Sequence, residues 1–225
     1  MSRVIVLRPE PGANETVERA RALEIDALSV PLFAVERVDW EVPEAGGFDA
    51  LLLTSANAVR CAGDQLRELR GLPVHAVGKA TADAARDAGF DITSSGDAGV
   101  ERLLGSLEAD LKLLHLCGED RAVTGETRQA ITAVTVYRSE PLEPPPDLTA
   151  IAGGVALVHS PRAGKRLAEL AVRQGLDRGD VAIAAISAAA ADAAGHGWKS
   201  VDHADQPTDE ALLAVAGRLC DKRRQ

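Results

Sequence analysis

Apolar residues along this chain fall into short blocks. Val4-Ile5-Val6-Leu7, Ala50-Leu51-Leu52-Leu53, Val74-His75-Ala76-Val77, Leu113-Leu114-His115-Leu116, Val155-Ala156-Leu157-Val158 and Val181-Ala182-Ile183-Ala184 share this pattern. Runs this short with hardly a polar position predict strands buried on both faces. Most of them stop at hydroxyls or small residues and then turn helical: Thr54-Ser55-Ala56-Asn57, Gly78-Lys79-Ala80-Thr81, Ser160-Pro161-Arg162 and Ser187-Ala188. Short polar side chains at such points cap helix N-termini. Buried strands alternating with helices predict an α/β fold with parallel sheets.

The stretch from Phe48 to Val59 is echoed roughly a hundred residues later by Val155 to Ala163, with Ser160 where Ser55 stands and Ser187 where Gly78 stands. A repeated phrase of this kind predicts two similar halves. The remaining pattern predicts a helix capped by Asn14 and running to Leu23, a strand at Ala27 to Val30, a helix from Val100 to Leu107 and a last helix capped by Thr208. That helix carries Leu212, Leu213, Val215, Ala216 and Leu219 inward, and a polar tail from Asp221 to Gln225 follows it. Two extended segments, Leu32 to Val38 and Thr132 to Arg138, are bordered by prolines. The N-terminal strand and helix are too small to fold alone and must join the C-terminal part. The expected organisation is an outer, discontinuous domain of residues 1–32 plus 141–225 and an inserted domain of residues 39–133. Residues 33–38 and 134–140 form an antiparallel connector that serves as a hinge, with a cleft between the domains.

Composition narrows the function. A net charge of −9 and a pI near 5.1 argue against a nucleic-acid backbone as partner. The odd count of cysteines, Cys61, Cys117 and Cys220, without C-x-x-C spacing, indicates reduced thiols in a cytoplasmic protein. The N-terminal apolar run is too short for a signal peptide and no stretch reaches membrane-spanning length.

Familiar chemistry fails residue by residue. No G-x-G-x-x-G follows a strand, and Pro73 stands where the first glycine of a P-loop would be. His75, His115, His159, His196 and His203 have no metal-ligand spacing, and no G-x-S-x-G surrounds Ser160 beside His159. What is left is a set of small polar groups at strand ends in both halves: Thr54, Ser55, Asn57, Gly78, Thr81, Gly118, Ser160 and Ser187. Arg8, Lys79, Arg121, Arg138, Arg162 and Lys165 lie near them. Any one of these is as readily a cap, a turn or a solvated charge, but their recurrence at the edge where α/β proteins bind ligands suits a molecule with several carboxylates.

The order and spacing of these phrases resemble the uroporphyrinogen-III synthase family nearly end to end. The resemblance rests on Val4-Ile5-Val6-Leu7-Arg8-Pro9, Pro31-Leu32-Phe33, Phe48-Asp49-Ala50 into Thr54-Ser55-Ala56-Asn57-Ala58-Val59, and Val77-Gly78-Lys79-Ala80-Thr81-Ala82. Gly118, Val136-Tyr137-Arg138 and His159-Ser160-Pro161-Arg162-Ala163 complete it. It implies two flavodoxin-like, doubly wound domains joined by two strands, with substrate in the cleft and no cofactor. By the same resemblance Ser55, Asn57, Thr81, Tyr137 and Ser160 line that cleft. Two departures stand out. Ala190 replaces the threonine that would match Thr81, so Ser187 or backbone N–H groups would serve there, and the segment from Gly118 to Tyr137 is short for a helix plus loop.

The activity implied is cyclisation of hydroxymethylbilane, an octacarboxylate, with loss of water and inversion of its last ring. In the family's chemistry a spiro intermediate achieves the inversion, and Tyr137 is the candidate proton donor. Arg8, Thr54, Ser55, Asn57, Gly78, Lys79, Thr81, Gly118, Ser160, Arg162 and Ser187 are the candidate substrate contacts. Expected with it are a monomer in the cytoplasm and a transient handover from hydroxymethylbilane synthase. The competing interpretation is a two-domain sensor that closes on a small polycarboxylate without chemistry. A protein-interaction module is disfavoured by an aromatic content of 3%.

Overall fold

The computed structural model describes residues 3–96, 99–120 and 127–221. In chain order the first elements are β1 (Val4–Val6), α1 (Gly12–Ala22), β2 (Ala27–Ser29), β3 (Phe33–Arg37), β4 (Ala50–Leu53) and α2 (Ala56–Ala62). Next come β5 (Val74–Val77), α3 (Lys79–Asp87), β6 (Ile92–Gly96), α4 (Val100–Ser106), β7 (Lys112–Gly118) and β8 (Ala130–Pro141). The chain then forms β9 (Val155–Val158), α5 (Pro161–Gln174), β10 (Ala182–Ala185), α6 (Ala188–Ala194), β11 (Ser200–His203) and α7 (Asp209–Asp221). Two compact units result, Met1–Ala34 with Pro141–Gln225, and Val35–Glu140.

The first unit holds a parallel sheet in the order β11-β10-β9-β1-β2. Counted along the chain this is the 2-1-3-4-5 order of flavodoxin-like folds, whose direction of travel reverses between β1 and β9. Right-handed crossovers running in opposite directions must lie on opposite faces. Accordingly α5 and α6 cover one face with Ile5, Leu7, Ala156 and Val158, while α1 and α7 cover the other with Val4, Val6, Val155 and Leu157. The period of two in a strand explains why every position of these blocks is apolar, since each face has helices to fill. Gly164 of α5 lies against the α6 backbone: a Cβ there would meet the Ala190 carbonyl oxygen at 2.7 Å.

The second unit holds the order β3-β8-β7-β4-β5-β6. From β4 to β6 the chain steps one way, with α2 and α3 on one face. It then jumps back to β7 on the far side of β4, with α4 on the opposite face. The reversal here falls between β4 and β7. Strand β8 runs parallel to β7. Val38 N–H donates to the Val136 carbonyl and Leu142 N–H to that of Leu32, so β3 and β8 run antiparallel as the chain passes between units.

Several local expectations are corrected. Asn14 is not a cap: α1 begins at Gly12, and the Asn14 amide donates to the Glu10 carboxylate at 2.9 Å. Glu10 thereby places a negative charge at the positive end of α1. Two edge strands, β6 and β11, occupy stretches the apolar pattern passes over, because Ile92-Thr93-Ser94-Ser95-Gly96 and Ser200-Val201-Asp202-His203 are too polar to resemble buried strands. Strand β8 is longer than expected and ends on Pro141. Thr208 does cap α7, accepting from the Ala211 amide at 3.3 Å. Arg121 and the tail beyond Asp221 lie outside the described residues.

Candidate functional site

At the reversal point of the second sheet, the carboxyl ends of β4 and β7 and the middle of β8 bring three expected residues together. Ser55 caps α2, its hydroxyl accepting from the Asn57 amide at 3.2 Å, and the same side chain lies close enough to the Tyr137 phenol to favour its ionised form. Gly118 and Tyr137 are register partners on β7 and β8, beside an irregularity at Cys117 and Gly118. The phenol ring lies over Gly118: a Cβ on that glycine would sit 2.7 Å from Cζ and 3.0 Å from the phenol oxygen. Gly118 is therefore the seat of Tyr137. Burial raises the phenol's pKa and outweighs the lowering by Ser55, so Tyr137 holds its proton at neutral pH.

The other expected residues of this unit are placed differently. Thr54 turns its hydroxyl to His115 Nε2 at 3.0 Å and is engaged inside the protein. Gly78, Lys79 and Thr81 follow β5, one strand from the reversal point. Gly78 has φ of +83°, which suits glycine, and open space where a Cβ would be. Thr81 is buried. Lys79 is exposed and paired with Asp83 one turn on. Arg138 is likewise exposed between Glu36 and Glu140.

In the first unit Ser160 and Ser187 cap α5 and α6, accepting from the amides of Ala163 at 3.1 Å and Ala190 at 3.3 Å. Ser160 stands at the reversal point and Ser187 one strand away. Ala190 is fully buried under Gly164, where a larger side chain would have little room. The Arg162 guanidinium lies 4.8 Å over the Phe33 ring, a cation–π contact that holds it near the start of α5.

Strand alternation carries Arg8 and His159, at the ends of β1 and β9, onto the α1 and α7 face. There they meet Asp209, the first residue of α7, in a cluster the sequence does not announce. Asp209 accepts from Thr16 Oγ1 at 2.7 Å, His159 Nε2 at 3.2 Å and Arg8 Nη1 at 3.4 Å, and from Arg19. Burial pushes the Asp209 carboxyl up, but the His159 and Thr16 hydrogen bonds and the Arg8 charge prevail and hold it well below the usual carboxylate range. Burial lowers the His159 pKa more than Asp209 raises it. The pair is an ionised carboxylate and a neutral imidazole, because Thr16 and two guanidiniums hold the carboxylate charged whether or not the ring is protonated. With Nε2–H donating, Nδ1 is the unprotonated nitrogen, buried without a well-formed hydrogen bond. Asp209 passes in sequence for an acidic residue favoured by its helix's first turn. The available signal was the matching alternation phase of Arg8 and His159.

No helix among the described residues is long and apolar enough to cross a membrane. Among solved structures, a uroporphyrinogen-III synthetase from Helicobacter pylori matches with a TM-score of 0.58 at 16% identity, over 97% of this chain and 100% of that one. This likeness shows a shared fold. The uroporphyrinogen III synthase of the extremely thermophilic bacterium Thermus thermophilus matches with a TM-score of 0.42 at 22% identity over 100% of both chains. No curated protein sequence matches the chain. The sequence pattern described as HEM4, Uroporphyrinogen-III synthase HemD, matches residues 14–214. The chain, in which those residues carry every element but β1, the first two residues of α1 and the second half of α7, belongs to the uroporphyrinogen-III synthase family.

Proposed function

We propose that this protein is a cyclising lyase that closes hydroxymethylbilane to uroporphyrinogen III in tetrapyrrole biosynthesis. The observation that carries this function is the family match over residues 14–214. The geometry is compatible with it. Hydroxymethylbilane is a flexible octacarboxylate that dehydrates readily at its terminal ring, so the protein has mainly to impose shape. Holding reacting groups in position supplies on the order of 7 to 11 kcal/mol in the best intramolecular systems.

In this scheme the substrate's carboxylates are taken by side chains and helix ends at the carboxyl edges of both sheets. Ser55, Asn57 and Ser160 act at the reversal points, and Gly78, Thr81 and Ser187 act one strand away. Arg8, Lys79 and Arg162 supply charge, while Thr54 and Gly118 shape the second unit's edge from behind Ser55 and Tyr137. Tyr137, buried enough to stay protonated, gives its proton to the departing hydroxyl, which leaves as water. The ring-bearing chain, folded by its carboxylates, then closes through the spiro intermediate. Residues 1–32 plus 141–225 and residues 39–133 serve as the two substrate-binding domains, linked by residues 33–38 and 134–140. The protein works as a cytoplasmic monomer that takes its labile substrate directly from hydroxymethylbilane synthase.

The test is direct. Purified protein, with no metal or nucleotide added, should convert fresh hydroxymethylbilane mainly to the type III isomer. Chromatography of the oxidised products that finds only the type I isomer formed spontaneously would remove the synthase function.

A further inference from the structure

The reversal point of the first sheet holds an assembly of which the cyclisation scheme uses Arg8 alone. Asp209 is nearly buried, with its side chain 10% exposed, whereas the Arg8 and Arg19 side chains are 35% and 39% exposed. Thr16 and Arg19 lie at i+4 and i+7 from Gly12, on one face of α1. They give Asp209 its two shortest contacts, and Arg19 also reaches Glu15 at 3.8 Å.

Arg8 is bound more loosely. Its contact with Asp209 is 3.4 Å, at the edge of hydrogen-bond range. Its guanidinium lies over the first turn of α1, where a Cβ on Gly12 would be 2.8 Å from Nε and 2.9 Å from Cζ. A guanidinium carries five N–H donors in a fixed fork. Among the described residues Asp209 is the one side-chain partner of Arg8, so most of that fork is uncommitted at the edge where such sheets bind ligands. Two guanidiniums share one carboxylate beside a neutral imidazole. A buried carboxylate that has satisfied itself elsewhere, and tethers a half-exposed arginine by one long contact, aims that arginine without consuming it.

We propose that Asp209 is a positioning residue that presents Arg8 to a substrate carboxylate at the reversal point between β1 and β9, with Thr16, Arg19 and His159 as the frame that fixes Asp209. The ligand chemistry is a carboxylate of a polycarboxylate, recognised by the free part of the Arg8 fork. The identity of that ligand as hydroxymethylbilane rests on the function proposed above.

The experiment compares Arg8→Ala, Asp209→Asn and the double variant in the full chain. Arg8→Ala should raise KM roughly tenfold to a hundredfold, the range for losing a hydrogen bond to a charged group, with kcat within about threefold. Asp209→Asn should raise KM by a smaller factor. The double variant should be no worse than Arg8→Ala, because Asp209 acts through Arg8. A purely structural clamp predicts a lower Tm for Asp209→Asn with unchanged KM, and that result overturns the proposal. Additive KM effects overturn it too. Should Asp209→Asn fail to fold, Thr16→Val takes its place: it removes one donor to Asp209 while keeping side-chain shape, and an unchanged KM counts against the proposal. If wild type turns over no hydroxymethylbilane, the synthase function falls, and the same variants are read by fluorescence titration with uroporphyrin, an octacarboxylate porphyrin. Weaker, non-additive binding then supports the positioning role, and equal affinity across all variants overturns it.

Discussion

Gly118 and Tyr137 face each other across β7 and β8 so closely that the phenol ring takes the space a side chain at residue 118 would need, with Cζ 2.7 Å from the position of a Cβ. The glycine is required by that approach and not by its backbone angle. Gly118→Ala should therefore leave the sheet folded and push the ring away from Ser55. We expect kcat to fall about tenfold, since a misplaced proton donor loses part of the 10²- to 10⁴-fold that general acid catalysis typically supplies, while the product stays type III. An unchanged kcat would show that the ring's seat does not matter to the reaction.

Tyr137→Phe separates proton donation from shape. The phenol is neutral and can be replaced by water, so kcat should drop toward the lower end of the range for general acids, about a hundredfold. Isomer analysis should still show type III, because in the proposed scheme the carboxylate contacts set ring order. A switch to type I would make Tyr137 a residue that positions rings, and complete loss in a folded variant would make proton donation indispensable.

Stability should fall with acid in two stages. Burial lowers the pKa of His159 and of His75 in the folded chain, whereas both titrate near 6.5 when unfolded. Below that pH the unfolded chain binds more protons, so stability is lost as pH falls through about 6.5, by at most about 1.4 kcal/mol per pH unit for each group. Asp209 is depressed, so its contribution is present above the unfolded carboxylate value near 3.9 and disappears below it. Urea unfolding midpoints at about pH 7.5, 6.5, 5.5, 4 and 3 give the profile, the first interval below 6.5 reporting the histidines and the last reporting Asp209. His159→Gln should flatten the first stage, and an unaltered slope would assign that stage to other groups.

Gly164→Ala addresses packing alone. Its Cβ would meet the Ala190 carbonyl oxygen at 2.7 Å and the Ala194 amide nitrogen at 2.9 Å. Both are backbone atoms that cannot rotate away, so α5 and α6 must separate. Overpacking of this kind costs roughly 1 to 3 kcal/mol. Thermal unfolding should show the loss, with KM for substrate little changed. A Tm equal to wild type would mean that the helices have slack at this crossing.

The buried strands were legible in the order of residues alone, because a four-residue block apolar at every position fits only a strand covered on both faces. So were the caps at Ser55, Ser160, Ser187 and Thr208, which depend on residues two or three positions away. Such short-range physics is written in adjacent letters. The edge strands β6 and β11 escaped because half of each faces water, leaving too few apolar residues to stand out. Strand order, and with it the two reversal points, emerged only in three dimensions, since nothing local in β1 states that β9 will be its neighbour. The same holds for the partners that matter most. Thr16 meets Asp209 across 193 positions, and Tyr137 of β8 meets the α2 cap Ser55 and Gly118 of β7. Which polar groups share a site depends on how crossovers bring strand ends together, and a linear pattern of apolar and polar residues records only the face each side chain takes.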